Sequence, residues 1–275
     1  MLKVVSFNVN SVRMRQHQLE ALVAEQAPDI IGLQETKVQD HEFPVEAIEA
    51  LGYRAEFCGQ KTHYGVALLY KPHLTLNKLQ KGWVTDDDSA QKRMIIGDFT
   101  TPAGDNLRVI NGYFPQGENR DHPVKFPAKL AFYADLMAYL NSDCSPEQNL
   151  IVMGDFNISP QDIDIGIGEA NRLRWLKTGK TSFLPEEREL WQSLLNWGLQ
   201  DTYRCCHPDS NDKFSWFDYR SKGFEDSPKR GLRIDTLLAT APLAAKVLAS
   251  DIGYSIRGLE KPSDHAPVWS DFDLN

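Results

Sequence analysis

The sequence predicts an α/β protein. Short apolar runs of strand character alternate along the chain with segments whose apolar residues recur at helical spacing. No low-complexity linker or short-period repeat interrupts this alternation, so residues 1–275 read as one compact domain. With 275 residues, 41% of them hydrophobic, the chain can bury a large core without disulfide staples.

The elements follow in order. LKVVSFNV opens as an extended apolar run and reads as a strand. HQLEALVAEQ sets Leu19, Leu22 and Val23 at helical spacing ahead of Pro28, a helix with its stop signal. PDIIGLQE is a second short strand, and FPVEAIEALG a helix closed by Gly52. GVALLY, RMIIGDFT and LRVINGY are three more strands. From Phe126, apolar positions 126, 130, 133, 137 and 140 mark one helical face, with Pro127 in the first turn, where its missing N–H is tolerated. NLIVMGDF is a buried strand. Pro185 opens the helix PEERELWQSLLNWG, which Gly198 closes, and LRIDTLLAT and PVWSDFD are late strands. The stretches 113–125, 157–185 and 202–231 read as irregular and exceed ordinary loop lengths, which marks them as functional.

A formal charge of −8 argues against a general nucleic-acid footprint. Local charge differs. NRLRWLKTGK (171–180) carries Arg172, Arg174, Lys177 and Lys180 and no acid. Arg220, Lys222, Lys229, Arg230 and Arg233 outnumber Glu225 and Asp226 in a second stretch. Solvated loop charges and phosphate contacts are equally good readings of both. Cys58, Cys144, Cys205 and Cys206 show no spacing suited to a bridge or to zinc, so reduced thiols and a cytoplasmic protein are expected. MLKVVSFNVN lacks the marks of a signal peptide, and no apolar run is long enough for a membrane span.

The chemistry is concentrated at strand ends. Apolar runs lead into Asn8, Glu35, Tyr113, the pair Asp155 and Asn157, two apart and so expected on one strand face, and Asp235, and the adjacent Asp264 and His265 precede the last strand between Pro262 and Pro267. Loops at strand ends are where α/β enzymes keep reactive groups. Each residue alone has a structural reading: Asn8 as a turn cap, Glu35 paired with Lys37, Tyr113 as a half-buried aromatic, Asp155 in an Asx-turn, Asp235 paired with an arginine, His265 as a core histidine. The recurrence of a strand with an oxygen-bearing tip favours a shared site. Carboxylates and an amide, without cysteine, suit a hard cation such as Mg²⁺, with Mn²⁺ as a substitute. Around it, Asp155 would orient or deprotonate a water, Asn157 and protonated His265 would hold charge on phosphate oxygens, Asp235 would orient His265, and Asp264 would lean toward the metal.

SFNVNSVR, IIGLQETK, GYFPQG, IVMGDFNISP, KFSWFDYR, GLRID and SDHAPV, in this order and nearly end to end, resemble the exonuclease III family of the endonuclease/exonuclease/phosphatase superfamily. LQE, GDFN and SDH alone mark only the superfamily; GYFPQG, WFDYRSKGF and GLRID are far more specific. The resemblance implies a four-layer α/β sandwich of two packed sheets with helices outside. It implies hydrolysis of DNA on the 5′ side of abasic sites, 3′→5′ exonuclease action on duplex DNA, removal of 3′-blocking groups and an RNase H-like activity. It makes Glu35, Asp155, Asn157 and Asp264 the metal-side residues, one or two ions being consistent with them, and Asn8, Tyr113, Asp155, Asn157, Asp235 and His265 the catalytic set. Trp216, Leu232 and Ile234 become a pocket for the flipped sugar, with core packing an equal reading of Leu232 and Ile234. Arg93, Gln116, Lys125, Arg172, Arg174 and Lys177 would touch the DNA backbone. The implied partner is duplex DNA with abasic sites or 3′ ends, bound by a monomer with no membrane and no obligate protein partner. EDSPKRG (225–231) is longer than the family pattern, which leaves the balance of endonuclease and exonuclease action open. Two rivals stand beside this reading: a phosphatase of the same fold acting on a small or lipid phosphoester, and a non-catalytic nucleic-acid-binding module.

Overall fold

The computed structural model describes residues 1–274. Its strands are β1 (Leu2–Asn8), β2 (Ile30–Gln34), β3 (Arg54–Cys58), β4 (Val66–Tyr70), β5 (Thr75–Lys81), β6 (Met94–Thr100), β7 (Asn106–Tyr113), β8 (Leu150–Asp155), β9 (Leu199–Asp201), β10 (Asp235–Thr240), β11 (Val247–Ile252) and β12 (Val268–Phe272). Its helices are α1 (Gln16–Gln26), α2 (Val45–Ala50), α3 (Lys125–Asp143), α4 (Glu169–Thr178), α5 (Pro185–Trp197) and three short ones, α6 (Thr202–Cys206), α7 (Ala241–Ala244) and α8 (Tyr254–Arg257).

Among the described residues the strands form two six-stranded mixed sheets, ordered β11-β12-β1-β2-β4-β3 and β5-β6-β7-β8-β10-β9. They pack face to face over an apolar layer that includes Val4, Val66, Leu68, Val109, Ile151, Met153 and Leu237. The outer face of the first sheet is covered by Leu19 and Leu22 of α1 and Ile48 of α2. The outer face of the second is covered by Tyr133, Leu136 and Leu140 of α3 and Trp191 and Leu194 of α5. Helix, sheet, sheet, helix is the expected four-layer sandwich. A sheet buried on both faces reads as an unbroken apolar run, which is why IVMG and VALL are strands without alternation.

Two details set the sheets' alignment. A buried amide pair crosses between them: Gln34 Nε2 donates to Asn111 Oδ1 at 2.5 Å, and Asn111 Nδ2 donates to the carbonyls of Leu33 and Ala67 at 3.0 and 2.9 Å. Buried polar groups tolerate few alternatives, so this pair fixes one register between layers. At Gly154 (φ +147), a Cβ would lie 1.8 Å from the Gly112 carbonyl oxygen, so only glycine lets β7 and β8 approach this closely.

The structure departs from expectation in three places. NRLRWLKT is the helix α4, inside a stretch read as irregular. On α3 the buried positions are Phe126, Lys129, Phe132, Tyr133, Leu136, Tyr139 and Leu140, while Leu130 is exposed; a lysine with a buried partner takes a place that hydropathy gives to leucine. Asp155 and Asn157 do not share a strand face: β8 ends at Asp155, and Asn157 turns into the left-handed region at φ +52. No helix among the described residues is long and apolar enough to cross a membrane.

Candidate active site

The strand ends converge. β1 and β2 are parallel neighbours, so Asn8 and Glu35 emerge at one end of the first sheet. In the second sheet Tyr113 pairs with Asp155, and Asp155 with Asp235, which sets three polar side chains in a row across β7, β8 and β10. The loop before β12 brings in Asp264 and His265, and His265 bridges to Trp216.

Asn8 joins the two sheets. Its Nδ2 donates to Glu35 Oε1 at 2.8 Å and to Asp155 Oδ2 at 3.0 Å. Both amide protons are thus spent holding two carboxylates together. His265 Nδ1 lies 2.9 Å from Asp235 Oδ2 and 3.1 Å from Oδ1, and its Nε2 is 3.8 Å from Asp155 Oδ2. Asp155 also accepts from the Asn157 backbone N–H at 3.0 Å, so it makes an Asx-turn and serves the site at once. Asn157 Nδ2 donates to the Phe114 carbonyl at 3.0 Å, leaving its second proton for another acceptor.

The electrostatics follow from burial. Asp155 and Asp235 are each 1% exposed and His265 is 4% exposed. Burial, with Asp235 and Glu35 beside it, pushes the Asp155 pKa up to about 8, against the lowering pull of His265 and the Asn8 amide. Burial disfavours charge on His265, but Asp235 and Asp155 outweigh it and push the imidazole up to about 10. Burial, then Glu35 and Asp155, keeps Tyr113 a phenol well above its ordinary range.

Glu35, Asp155 and His265 each present a ligand atom within 4.8 Å of the others. The negative charges of Glu35 and Asp155 repel each other, and a divalent cation between them would remove that repulsion. The carboxylate oxygens of Glu35 and Asp155, brought together in one cavity, therefore fit a hard cation held by these two residues. Asp264 lines the same cavity outside the close triplet, and its two oxygens accept from Asn10 Nδ2 (2.9 Å) and Trp216 Nε1 (3.1 Å). Burial opposes the charge on Asp264, yet His265 and these two donors hold its pKa below the usual carboxylate range.

A cavity of about 270 Å³ lies over this centre. Glu35, Tyr113, Asp155, Asn157, Asp264 and His265 form its polar floor, and Trp175, Trp216, Leu232 and Ile234 an apolar wall, with Gln116, Lys180 and Ser182 at its sides. Leu232 and Ile234 also pack on Phe183, so they line the cavity and belong to the core at once.

The residues expected on DNA divide. Gln116 is exposed beside the cavity, and Lys125 is exposed and paired with Glu118. Arg174 lines an adjoining cavity of about 330 Å³ that shares Trp175, Lys180 and Trp216 with the first; Lys177 is exposed on α4. Arg172 is drawn to Glu169 one turn away at 2.7 Å. Arg93 is committed to protein: its guanidinium lies 4.3 Å from the Tyr64 ring and 4.7 Å from the Tyr113 ring, and its Nη1 donates to the Tyr113 carbonyl at 3.0 Å. It supports Tyr113 from beneath the cavity floor.

Sequence reasoning missed Asn10, Lys37, Trp175 and Ser182. Lys37 Nζ reaches Asn10 Oδ1 at 2.6 Å and Glu35 Oε2 at 2.9 Å, so the Glu35–Lys37 pair exists, but inside the site. Asn10, Glu35, Lys37 and Asn157 all have positive φ. Such backbone is strained for non-glycine residues and clusters at functional sites. The signal that would have found Trp175 is its place amid the cations of 171–180, where Lys180 Nζ sits 3.7 Å above its ring.

Comparison with known proteins agrees with this geometry. The chain is 55% identical over 271 residues to exodeoxyribonuclease III of Haemophilus influenzae, covering 98% of this chain and 100% of that one. The solved AP endonuclease of Archaeoglobus fulgidus superposes with a TM-score of 0.89 at 31% identity, covering 100% of both chains. The 3′ phosphatase NExo from Neisseria, bound to product DNA hairpin, superposes with a TM-score of 0.87 at 34% identity, also covering 100% of both. The Endonuclease/Exonuclease/phosphatase family model matches residues 5–265, and with the full-length relative at 55% identity it places this chain in that family, on its exodeoxyribonuclease III branch.

Proposed function

We propose that the chain is a metal-dependent DNA repair nuclease that hydrolyses the phosphodiester 5′ to abasic sites, degrades duplex DNA from 3′ ends and removes 3′-blocking groups. One observation carries the reading. The Asn8 amide clamps Glu35 and Asp155 from two different sheets near an Asp235-bound His265, beside an apolar wall of Trp175, Trp216, Leu232 and Ile234. The names of the relatives, an AP endonuclease, an exodeoxyribonuclease and a 3′ phosphatase, support the three activities in turn.

Each side chain has a role in this scheme. Asp155 orients an attacking water and accepts its proton, a task suited to a buried carboxylate whose pKa is raised. His265, kept cationic by Asp235, donates from Nε2 to a non-bridging phosphate oxygen as charge grows there. The free amide proton of Asn157 and the Tyr113 phenol add donors to the same phosphate. Mg²⁺ held by Glu35 and Asp155, with Mn²⁺ able to substitute, would screen the phosphate and steady the leaving oxygen. Trp216, Leu232 and Ile234 receive the extruded sugar, which costs little to unstack without a base. Lys180, Arg174 and Lys177 bind the backbone without reading sequence, so affinity falls with salt.

The test is a duplex with one abasic site, incubated with Mg²⁺ or with EDTA. A metal-dependent nick at that site is expected. Binding without turnover, or turnover only of a small or lipid phosphoester, would replace the reading.

A further inference from the structure

Lys129 and Glu187 are both fully buried and form an ion pair beneath the site. A buried pair of this kind is often no more stabilising than an apolar pair of equal volume, so its presence calls for another reason. Its remaining hydrogen bonds supply one. Lys129 Nζ donates to the Asn157 carbonyl at 2.8 Å and reaches the Gln116 carbonyl at 3.4 Å. Glu187 Oε2 accepts the backbone N–H groups of Ser182 and Leu184, each at 2.8 Å. The Lys129 methylenes lie against Gly117 so closely that a Cβ there would sit 3.1 Å from Lys129 Cδ. Three loops that line the catalytic cavity therefore hang on one pair, and two of the residues they hold, Asn157 (φ +52) and Ser182 (φ +118), have strained backbone.

We propose that the Lys129–Glu187 pair is a positioning device for the catalytic centre. The ammonium pins the Asn157 carbonyl, which keeps that residue in its left-handed turn and aims its amide into the cavity beside Asp155. The carboxylate pins the Ser182 wall on the opposite side. Neither residue touches substrate. The proposal rests on reading Asn157 as a phosphate-facing amide.

The test is the double variant Lys129→Met/Glu187→Gln, which removes both charges. The introduced amide keeps an oxygen for the Ser182 and Leu184 N–H groups, while the introduced thioether has no donor for the Asn157 carbonyl. Melting temperature, Mn²⁺ affinity, duplex KM and the single-turnover rate of abasic nicking are measured on the full chain. Thermal stability above that of Lys129→Met alone is expected, with KM and Mn²⁺ affinity within about twofold of wild type. The single-turnover rate should fall roughly ten- to a hundredfold, as expected for a small misplacement at a reacting centre. A wild-type rate in the folded double variant overturns the proposal. Should that variant not fold, Lys129→Arg takes its place. The longer side chain has no slack beneath a carbonyl already at 2.8 Å, so a slower rate at unchanged KM is expected and a wild-type rate overturns the idea. Asn157→Ala separates the two claims. If it leaves the rate unchanged, the reading of Asn157 fails by itself; if it is slow while the double variant is normal, the positioning claim fails.

Discussion

Replacing Asp235 by Asn tests the electrostatic part of the mechanism. The substitution keeps the shape and an oxygen for His265 Nδ1, so it removes charge more than contact. The imidazolium and carboxylate charge centres lie about 4 Å apart, and at an effective dielectric of about 20 their attraction is about 4 kcal/mol, equivalent to roughly 10³ in rate if all of it reaches the transition state. Some is lost to relaxation, so a fall of roughly 10² to 10³ in the single-turnover rate is expected for Asp235→Asn. The pH dependence has a definite sign. Asp235 raises the His265 pKa, and losing its charge lets that pKa fall from about 10 toward the ordinary imidazole value. The basic limb of the rate profile must therefore move to lower pH. Stability follows the same rule: a raised folded pKa contributes fully below the unfolded value near 6.5 and is lost as pH rises toward 10, so the variant should lose most stability in acid and least above that range. The assay is nicking of an abasic duplex between pH 6 and pH 10, with circular dichroism to confirm folding. A rate within threefold of wild type with an unmoved basic limb would remove His265 charge from the mechanism.

Two further predictions concern binding and the scaffold. Trp216→Ala opens the apolar wall and frees Asp264 Oδ2, so kcat/KM for abasic nicking should fall by about one to two decades, corresponding to roughly 1.5–3 kcal/mol of lost apolar contact with the sugar; equal cleavage of abasic DNA by variant and wild type would show that the wall does not receive the sugar. Arg233, 1% exposed, bonds Asp164 at 2.6 Å and Asp201 at 2.8 Å, so Arg233→Met takes the buried cation from Asp201 and leaves Asp164 with Arg204 alone, and should cost about 3–5 kcal/mol in urea unfolding. Burial raises the Asp164 pKa, but Arg233 and Arg204 prevail and hold it below the carboxylate range; its contribution is thus present above pH ~4 and lost as pH falls through the depressed value. The stability gap between wild type and variant should narrow below pH ~4, and a gap independent of pH would mean the network is not held by charge.

The parts of this fold legible in sequence share a physical property. The eight strands read from apolar runs are the eight interior strands of the two sheets, while β3, β5, β9 and β11 went unread, and these are the four edges. An edge strand is only half covered and carries polar residues that discourage further pairing, so TLNKLQK shows no apolar run. The four helices read in advance are those that cover the sheets; α4 escaped because none of its residues is buried. Strand ends were legible because burial would not choose Asn8, Asp155 or Asp235 at the close of an apolar run. The second layer of the site was not legible. Lys129 looks like a surface residue until Glu187, 58 positions away, is seen beside it, and the pairing of Asp264 with Asn10 and Trp216 is equally invisible along the chain. Pairings between distant segments leave no trace in local pattern.

The most direct measurement is the anomalous scattering of Mn²⁺ soaked into crystals of the chain. The expected result is density between Glu35 and Asp155, about 2.0–2.3 Å from a carboxylate oxygen of each, lost together with nicking activity when Glu35 is replaced by Gln. Manganese bound elsewhere, or no peak at saturating concentration while nicking proceeds, would contradict the account.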